Sequence, residues 1–255
     1  MGAPLNAQRP FAGALARLLV VLLLTACRAP KVEQRVLFIG NSYTSANNLA
    51  GIVEAMATAR HHHIVVRALA PGGQTLAQHA ESAETRAALA ADAWTAVVLQ
   101  EQSVVPAVRA SREQTMYPAV RQLADVVRAR HARLLLFNTW ARRDGMGQFG
   151  YPDFSSMQSA IDAAYAEIGA ETEATVVPVG AAWTAARAAF PNLQLWIADG
   201  SHPTREGSYL AACLFYVTLF GGTPVGLPPM EGMDAATAHR LQLVAMSVTT
   251  AGSRP

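Results

Sequence analysis

Ser42 is the residue of this sequence best placed to act as a nucleophile. It follows the apolar run Val36-Leu37-Phe38-Ile39 and the pair Gly40-Asn41. An apolar run ending in Gly-Asn-Ser reads as a buried strand entering a tight loop. That puts Ser42 at the carboxyl edge of a sheet, where open α/β sheets bind ligands. A serine hydroxyl attacks a carbonyl only when a base takes its proton; without one, such a serine caps the next helix. Near the other end, Asp199-Gly200-Ser201-His202-Pro203 sets an acid three residues before a histidine. One short loop can present both side chains, with the carboxylate orienting the imidazole. Ser42, His202 and Asp199 are therefore candidates for nucleophile, base and orienting acid in acyl transfer.

Acyl transfer also needs donors aimed at the developing oxyanion. The backbone N–H groups of Ser42 and Gly73, together with a glutamine side chain, are the candidates. Glycine suits such a position because its backbone can approach a substrate closely. Trp140, Tyr151 and Phe154, with Asn41, are candidates to line an acyl or sugar pocket, because aromatic faces pack well on both. Arg142 and Arg143 are either solvated charges or contacts to an anionic substrate. His79 reads as a surface or capping residue. His61-His62-His63 precedes a strand, where successive side chains alternate faces; the three cannot share one metal and read as surface. The triad calls for no metal and no cofactor.

Alternating apolar and helix-periodic segments must position these residues. Strands are expected at Arg35–Ile39, Ile64–Leu69, Ala96–Leu99, Leu134–Phe137 and Thr175–Val179. Helices are expected at Leu49–Arg60, Ala77–Asp92, Ser111–Arg130, Ser156–Gly169, Trp183–Phe190, from Thr204 as N-cap through Phe220, and Ala235–Ser247. Strands alternating with helices imply a parallel sheet covered on both faces. The strand ends at Gly40-Asn41-Ser42, Gly72-Gly73, Gln100-Glu101-Gln102 and Asn138-Thr139-Trp140 then share one edge.

The amino terminus is different. Arg9 and Arg17 precede the run from Leu18 to Leu24, followed by Thr25-Ala26-Cys27. This is the pattern of a secretory signal, too short for an ordinary membrane span. Leu24-Thr25-Ala26-Cys27 also resembles the bacterial lipobox, in which the cysteine is lipidated. The expected organisation is a lipoprotein-type signal peptide over residues 1–26, a tether over 27–34 and one domain over 35–255. It implies an exported protein held at a membrane through Cys27 and facing the periplasm or cell exterior. Cys213, the other cysteine, lies in an apolar helical stretch and reads as an inert core residue. Losing residues 1–26 removes two arginines and no acid, so the net charge of +2 falls to zero. With no basic patch, nucleic acid is not an expected partner.

Gly40-Asn41-Ser42, Gly73 after a second strand and Asp199-x-x-His202 near the carboxyl terminus resemble the SGNH (GDSL-type) hydrolases. The resemblance spans essentially the whole chain after the leader. It implies a three-layer α/β/α flavodoxin-like fold with a five-stranded parallel sheet, and hydrolysis of esters or thioesters, often acyl groups on sugars or lipids. Two blocks depart from the family pattern. Gly-Asn-Ser-Tyr stands where Gly-Asp-Ser-Leu is usual. Leu99-Gln100-Glu101-Gln102-Ser103 stands where the family has Gly-x-Asn-Asp, so its asparagine donor is missing. Some carbohydrate acetylesterase relatives carry a glutamine after this strand; Gln100 or Gln102 would then complete the oxyanion hole. The implied activity is a serine esterase using a Ser-His-Asp triad, its substrate an acylated glycan or lipid. The alternative is a catalytically silent surface lipoprotein that binds a glycan or partner with the same pocket.

Overall fold

Three fully apolar segments make the middle of one sheet. Val36–Ile39, Ala96–Leu99 and Leu135–Phe137 are buried along their whole length, as strands covered on both faces must be. The computed structural model describes residues 1–2 and 33–251. The apolar leader, Cys27 and most of the expected tether lie outside the described residues.

The chain runs β1 (Gln34–Ile39), α1 (Ser42–Ser45), a 3₁₀ turn (Ala46–Asn48), α2 (Leu49–Ala59), β2 (Ile64–Leu69), α3 (Leu76–Glu81), α4 (Ala83–Ala90) and β3 (Ala96–Leu99). It continues as α5 (Arg109–Ser111), a π-helical turn (Arg112–Met116), α6 (Tyr117–Ala129), β4 (Arg133–Asn138), a second 3₁₀ turn (Gly147–Phe149), α7 (Phe154–Thr172), β5 (Thr175–Pro178), α8 (Val179–Ala189), α9 (Arg205–Phe220) and α10 (Ala235–Ala251). The strands form one all-parallel sheet in the order β2-β1-β3-β4-β5. Helices α2 and α9 pack together on one face, with α8 and α10 against α9. On the other face α6 lies between α3 and α7. This is the expected α/β architecture.

The elements start where local chemistry provides caps. The Asn48 side chain accepts from the Gly51 N–H, Asp153 from Ser156, and Thr204 from Gly207. Each satisfies a donor that the first turn leaves open. Three expected helices differ by more than a few terminal residues, the one over 111–130 by a π-helical turn at Arg112–Met116. The segment expected as one helix over 77–92 is broken at Ser82, which ends α3 and caps α4 by accepting from the Thr85 N–H. Helix α8 begins directly after Pro178 rather than at Trp183.

Candidate active site

The carboxyl ends of β1, β2, β3 and β4 lie on one edge because all strands run the same way. Their loops, with the loop before α9, enclose a cavity of ≈ 240 Å³. Asn41, Ser42, Tyr43, Gly73, Gln102, Ser103, Arg142, Ser201 and His202 line it.

Ser42 opens α1, whose N-cap is Asn41. His202 Nε2 lies 2.9 Å from Ser42 Oγ, and His202 Nδ1 lies 2.6 Å from Asp199 Oδ2. The second Asp199 oxygen accepts from the backbone N–H groups of Ser201 and His202, each at 2.9 Å. Partial burial alone would raise the Asp199 pKa. The hydrogen bonds from the His202 ring and those two N–H groups outweigh it and hold the acid down at about 2. A carboxylate only accepts, so Nδ1 of a neutral His202 carries its proton. Nε2 is then the acceptor facing the Ser42 hydroxyl. Sequence positions 42, 199 and 202 thus meet in a continuous hydrogen-bonded line.

The loop carrying Asp199 and His202 is held from several sides. Gly200 adopts φ +65°, a conformation glycine reaches without strain. Its carbonyl accepts from the Arg143 N–H at 2.9 Å, and the Ser201 carbonyl accepts from Trp140 Nε1 at 2.9 Å. Tyr43 and Ser201 share a hydroxyl hydrogen bond of 2.7 Å. The Asn47 side-chain amide reaches the Pro203 and Thr204 carbonyls and Ser208 Oγ, tying the nucleophile segment to the histidine segment. Tyr43 stacks on Trp140 at 4.7 Å, Trp140 stacks on Trp183 at 4.1 Å, and the His202 ring stands edge-on to Tyr43. Tyr43, Asn47 and Ser201 were not legible as site residues. Their roles depend on partners some 160 residues away in sequence.

Several expected residues have other roles. Trp140 does not line the cavity: it is fully buried between Tyr43 and Trp183, beneath the histidine loop. Tyr151 does not line it either; its hydroxyl donates to the Ala107 carbonyl. Phe154 packs edge-on to Trp196. Asn41 does border the cavity, but its side chain is engaged by the Tyr43 N–H, the Gln74 carbonyl and Gln100.

His79 is neither on the surface nor at the substrate. It is buried under the nucleophile loop, donating from Nε2 to the Gly40 carbonyl at 2.8 Å while Nδ1 faces the Thr85 hydroxyl at 2.9 Å. Burial lowers its pKa. His62 stacks on Phe220 at 4.1 Å. Cys213 is buried in α9.

The two glutamines separate. Gln100 is fully buried, and its amide is used up: Oε1 accepts from the Asn41 N–H and the Thr44 hydroxyl, and Nε2 donates to Asn41 Oδ1 and the Glu101 carbonyl. Gln102 lines the cavity with Ser42 and Gly73. Its Oε1 accepts from the Val104 N–H at 2.9 Å and its Nε2 donates to Ser103 Oγ at 3.3 Å. Gly73 holds φ +73°. Between the glutamines, Glu101 is buried and accepts from the N–H groups of Leu76 and Gln102. Burial pushes its pKa up to about 7 against those hydrogen bonds.

The fold has counterparts among solved structures. An SGNH hydrolase from Slackia heliotrinireducens is 32% identical over 74% of this chain and 100% of its own, with a TM-score of 0.62. The chain belongs to the SGNH hydrolase family. Two further structures share the SGNH fold at lower identity. A DUF4886 family protein from Bacteroides uniformis superposes with a TM-score of 0.73 at 20% identity, over 88% of this chain and 97% of its own. Axe2, an acetylxylan esterase from Geobacillus stearothermophilus, gives 0.57 at 18% identity, over 76% and 98%. No family model and no curated protein matches the sequence.

Proposed function

We propose that this SGNH hydrolase is a serine esterase that cleaves carboxylic esters through an acyl-enzyme. The observation that carries the reading is the Ser42–His202–Asp199 line, with contacts of 2.9 and 2.6 Å, opening onto the cavity. As Ser42 Oγ attacks the ester carbonyl, its proton passes to His202 Nε2. Asp199, ionised, steadies the imidazolium through Nδ1–H. The tetrahedral oxyanion is met by the N–H groups of Ser42 and Gly73 and by the Gln102 side chain, which takes the place of the family's asparagine. Collapse breaks the bond to the alcohol, which leaves with the proton from His202. A water then gives its proton to His202 and attacks the acyl-enzyme; the acyl–Ser42 bond breaks as His202 returns the proton to Ser42 Oγ, releasing the acid and free Ser42.

The cavity is smaller than the about 300–1,000 Å³ usual for drug-sized ligands. That supports a short acyl group, such as acetyl, carried on a glycan or other bulky alcohol lying largely outside. The leader pattern and Cys27 support export and lipid anchoring. The test is labelling by a fluorophosphonate together with turnover of short aryl esters: Ser42 should carry the phosphonyl group, and Ser42→Ala should lose both signals. Turnover of no ester by the labelled, folded protein would overturn the reading.

A further inference from the structure

Arg142 is a charged residue of the cavity wall that the proposed ester hydrolysis does not use. It follows β4 and lies in the wall with Ser42, Gln102 and His202. Its guanidinium makes one long hydrogen bond, Nη2 to Ser103 Oγ at 3.4 Å. Its Nε is shielded from solvent and has no partner. Among the described residues no carboxylate lies within ion-pair distance of it. The neighbouring Arg143, by contrast, is paired with Asp144 at 2.9 Å. Burying part of a cation without a counter-charge costs free energy unless something else supplies the charge. Here the open side of that cation is the cavity beside the nucleophile.

Resting on the esterase reading, we propose that Arg142 selects esters carrying a carboxylate close to the scissile bond. A guanidinium presents a planar fork of donors that matches a carboxylate in two parallel hydrogen bonds. Arg142 is the one fixed positive charge among the residues lining the cavity. A single cation balances a monoanionic carboxylate; a phosphate monoester, close to dianionic near neutral pH, would leave negative charge without a partner. A small cavity also suits a compact anion adjoining the ester. The carboxylate sits either on the acyl part, as in a dicarboxylic half-ester, or on the alcohol, as in an acylated acidic sugar.

Two matched ester pairs distinguish these sources. On the acyl side, methyl hydrogen succinate is compared with dimethyl succinate. On the alcohol side, 3-acetoxybenzoate is compared with its methyl ester. The readout is the ratio of kcat/KM, charged over neutral, for the wild type, Arg142→Gln and Arg142→Lys, each checked for folding by circular dichroism. In one pair the wild-type ratio should exceed tenfold and fall about 10–100-fold in Arg142→Gln, the range expected for charge-assisted hydrogen bonds. Arg142→Lys should retain part of it. A wild-type ratio near one in both pairs overturns the proposal and leaves the esterase standing. An unchanged ratio with both rates reduced also overturns it and makes Arg142 a donor to the oxyanion common to every ester. Calorimetric binding of succinate and 3-hydroxybenzoate reads the anion site without turnover. Should no ester be cleaved, binding that Arg142→Gln abolishes keeps the anion site and removes the esterase, whereas no binding removes both.

Discussion

Asn41 and Gln100 hold each other by two hydrogen bonds: the Asn41 N–H donates to Gln100 Oε1 at 2.9 Å, and Gln100 Nε2 donates to Asn41 Oδ1 at 2.9 Å. This bracket joins the ends of β1 and β3 one residue before the nucleophile. It also saturates Gln100, which leaves Gln102, of the two glutamines, for the proposed oxyanion role. Gln100→Ala should therefore act on stability. It strips the buried Asn41 N–H and Thr44 hydroxyl of their acceptor, a loss of order 3 kcal/mol. A calorimetric Tm should drop by roughly 6–12 °C for a domain of this size. Gln102→Ala should keep its Tm and lose about 10²–10³ in kcat, the usual cost of one oxyanion donor. The opposite pattern would return the donor role to Gln100.

Gly40 tests the same bracket from the backbone. A Cβ there would stand 2.5 Å from Gln100 Oε1 and 2.6 Å from Thr44 Oγ1, too close for either to stay. Gly40→Ala should lower stability by pushing Gln100 off Asn41. Because both changes break one network, the double variant Gly40→Ala/Gln100→Ala should be less destabilised than the two single losses added together. Denaturant midpoints of the four proteins decide it, and simple additivity would mean that the glycine serves something else.

These residues also mark how far the sequence could be read. The apolar runs of β1, β3 and β4 were legible because central parallel strands are buried on both faces, and β2 and β3 form with the expected bounds. The acid–histidine spacing was legible because both partners lie in one loop. Trp140, His79 and Gln100 were not, because their roles are set by tertiary partners. His79 meets the Gly40 carbonyl 39 residues away, and Gln100 meets Asn41 59 residues away. Local patterns cannot see such pairings. The break at Ser82 was missed for a different reason. An alanine-rich stretch has no apolar period to interrupt, so a serine that caps the next helix looks like one more helical residue.

Glu101 gives stability a pH dependence of unusual sign. Burial raises its pKa in the folded protein to about 7, above the ordinary 4.5. Between those values the folded state holds a proton that the unfolded state has released. This group's contribution is thus complete below about pH 4.5 and is lost as pH rises through about 7. The full loss is of order 3 kcal/mol, at up to about 1.4 kcal/mol per pH unit. Glu101→Gln cannot ionise, so its unfolding free energy should vary less over that window. Parallel curves for wild type and variant between pH 4.5 and 7 would show that Glu101 is not the group responsible.

Cys27 is proposed as the anchor. One acyl chain contributes about 0.8 kcal/mol per buried CH₂ to membrane binding. In a bacterial host, wild-type protein should incorporate labelled palmitate and sediment with membranes, and Cys27→Ser should do neither. Equal label in both would sink the assignment.

Ser42, His202 and Asp199 should behave as one unit. Ser42 is a weak nucleophile unless His202 takes its proton, and His202 can take it only at Nε2, which requires the other proton to stay on Nδ1 facing Asp199. Losing Ser42 removes the attacking atom; losing His202 strands the hydroxyl proton. Each alone should cost on the order of 10⁴–10⁶ in kcat, and the double variant Ser42→Ala/His202→Ala little more than either. Asp199→Ala should cost less, since water can still bond the imidazole, though with poorer orientation. The carboxylate is held down at about 2, so it stays ionised from about pH 4 upward. Any loss of activity on acidification in that range should therefore not come from protonation of Asp199. Short-chain aryl ester hydrolysis by the purified single and double variants, each folded by circular dichroism, is the measurement. A folded Ser42→Ala protein with wild-type turnover would put the nucleophile elsewhere. Multiplicative losses in the double variant would mean that Ser42 and His202, though 2.9 Å apart, do not share a proton in the reaction.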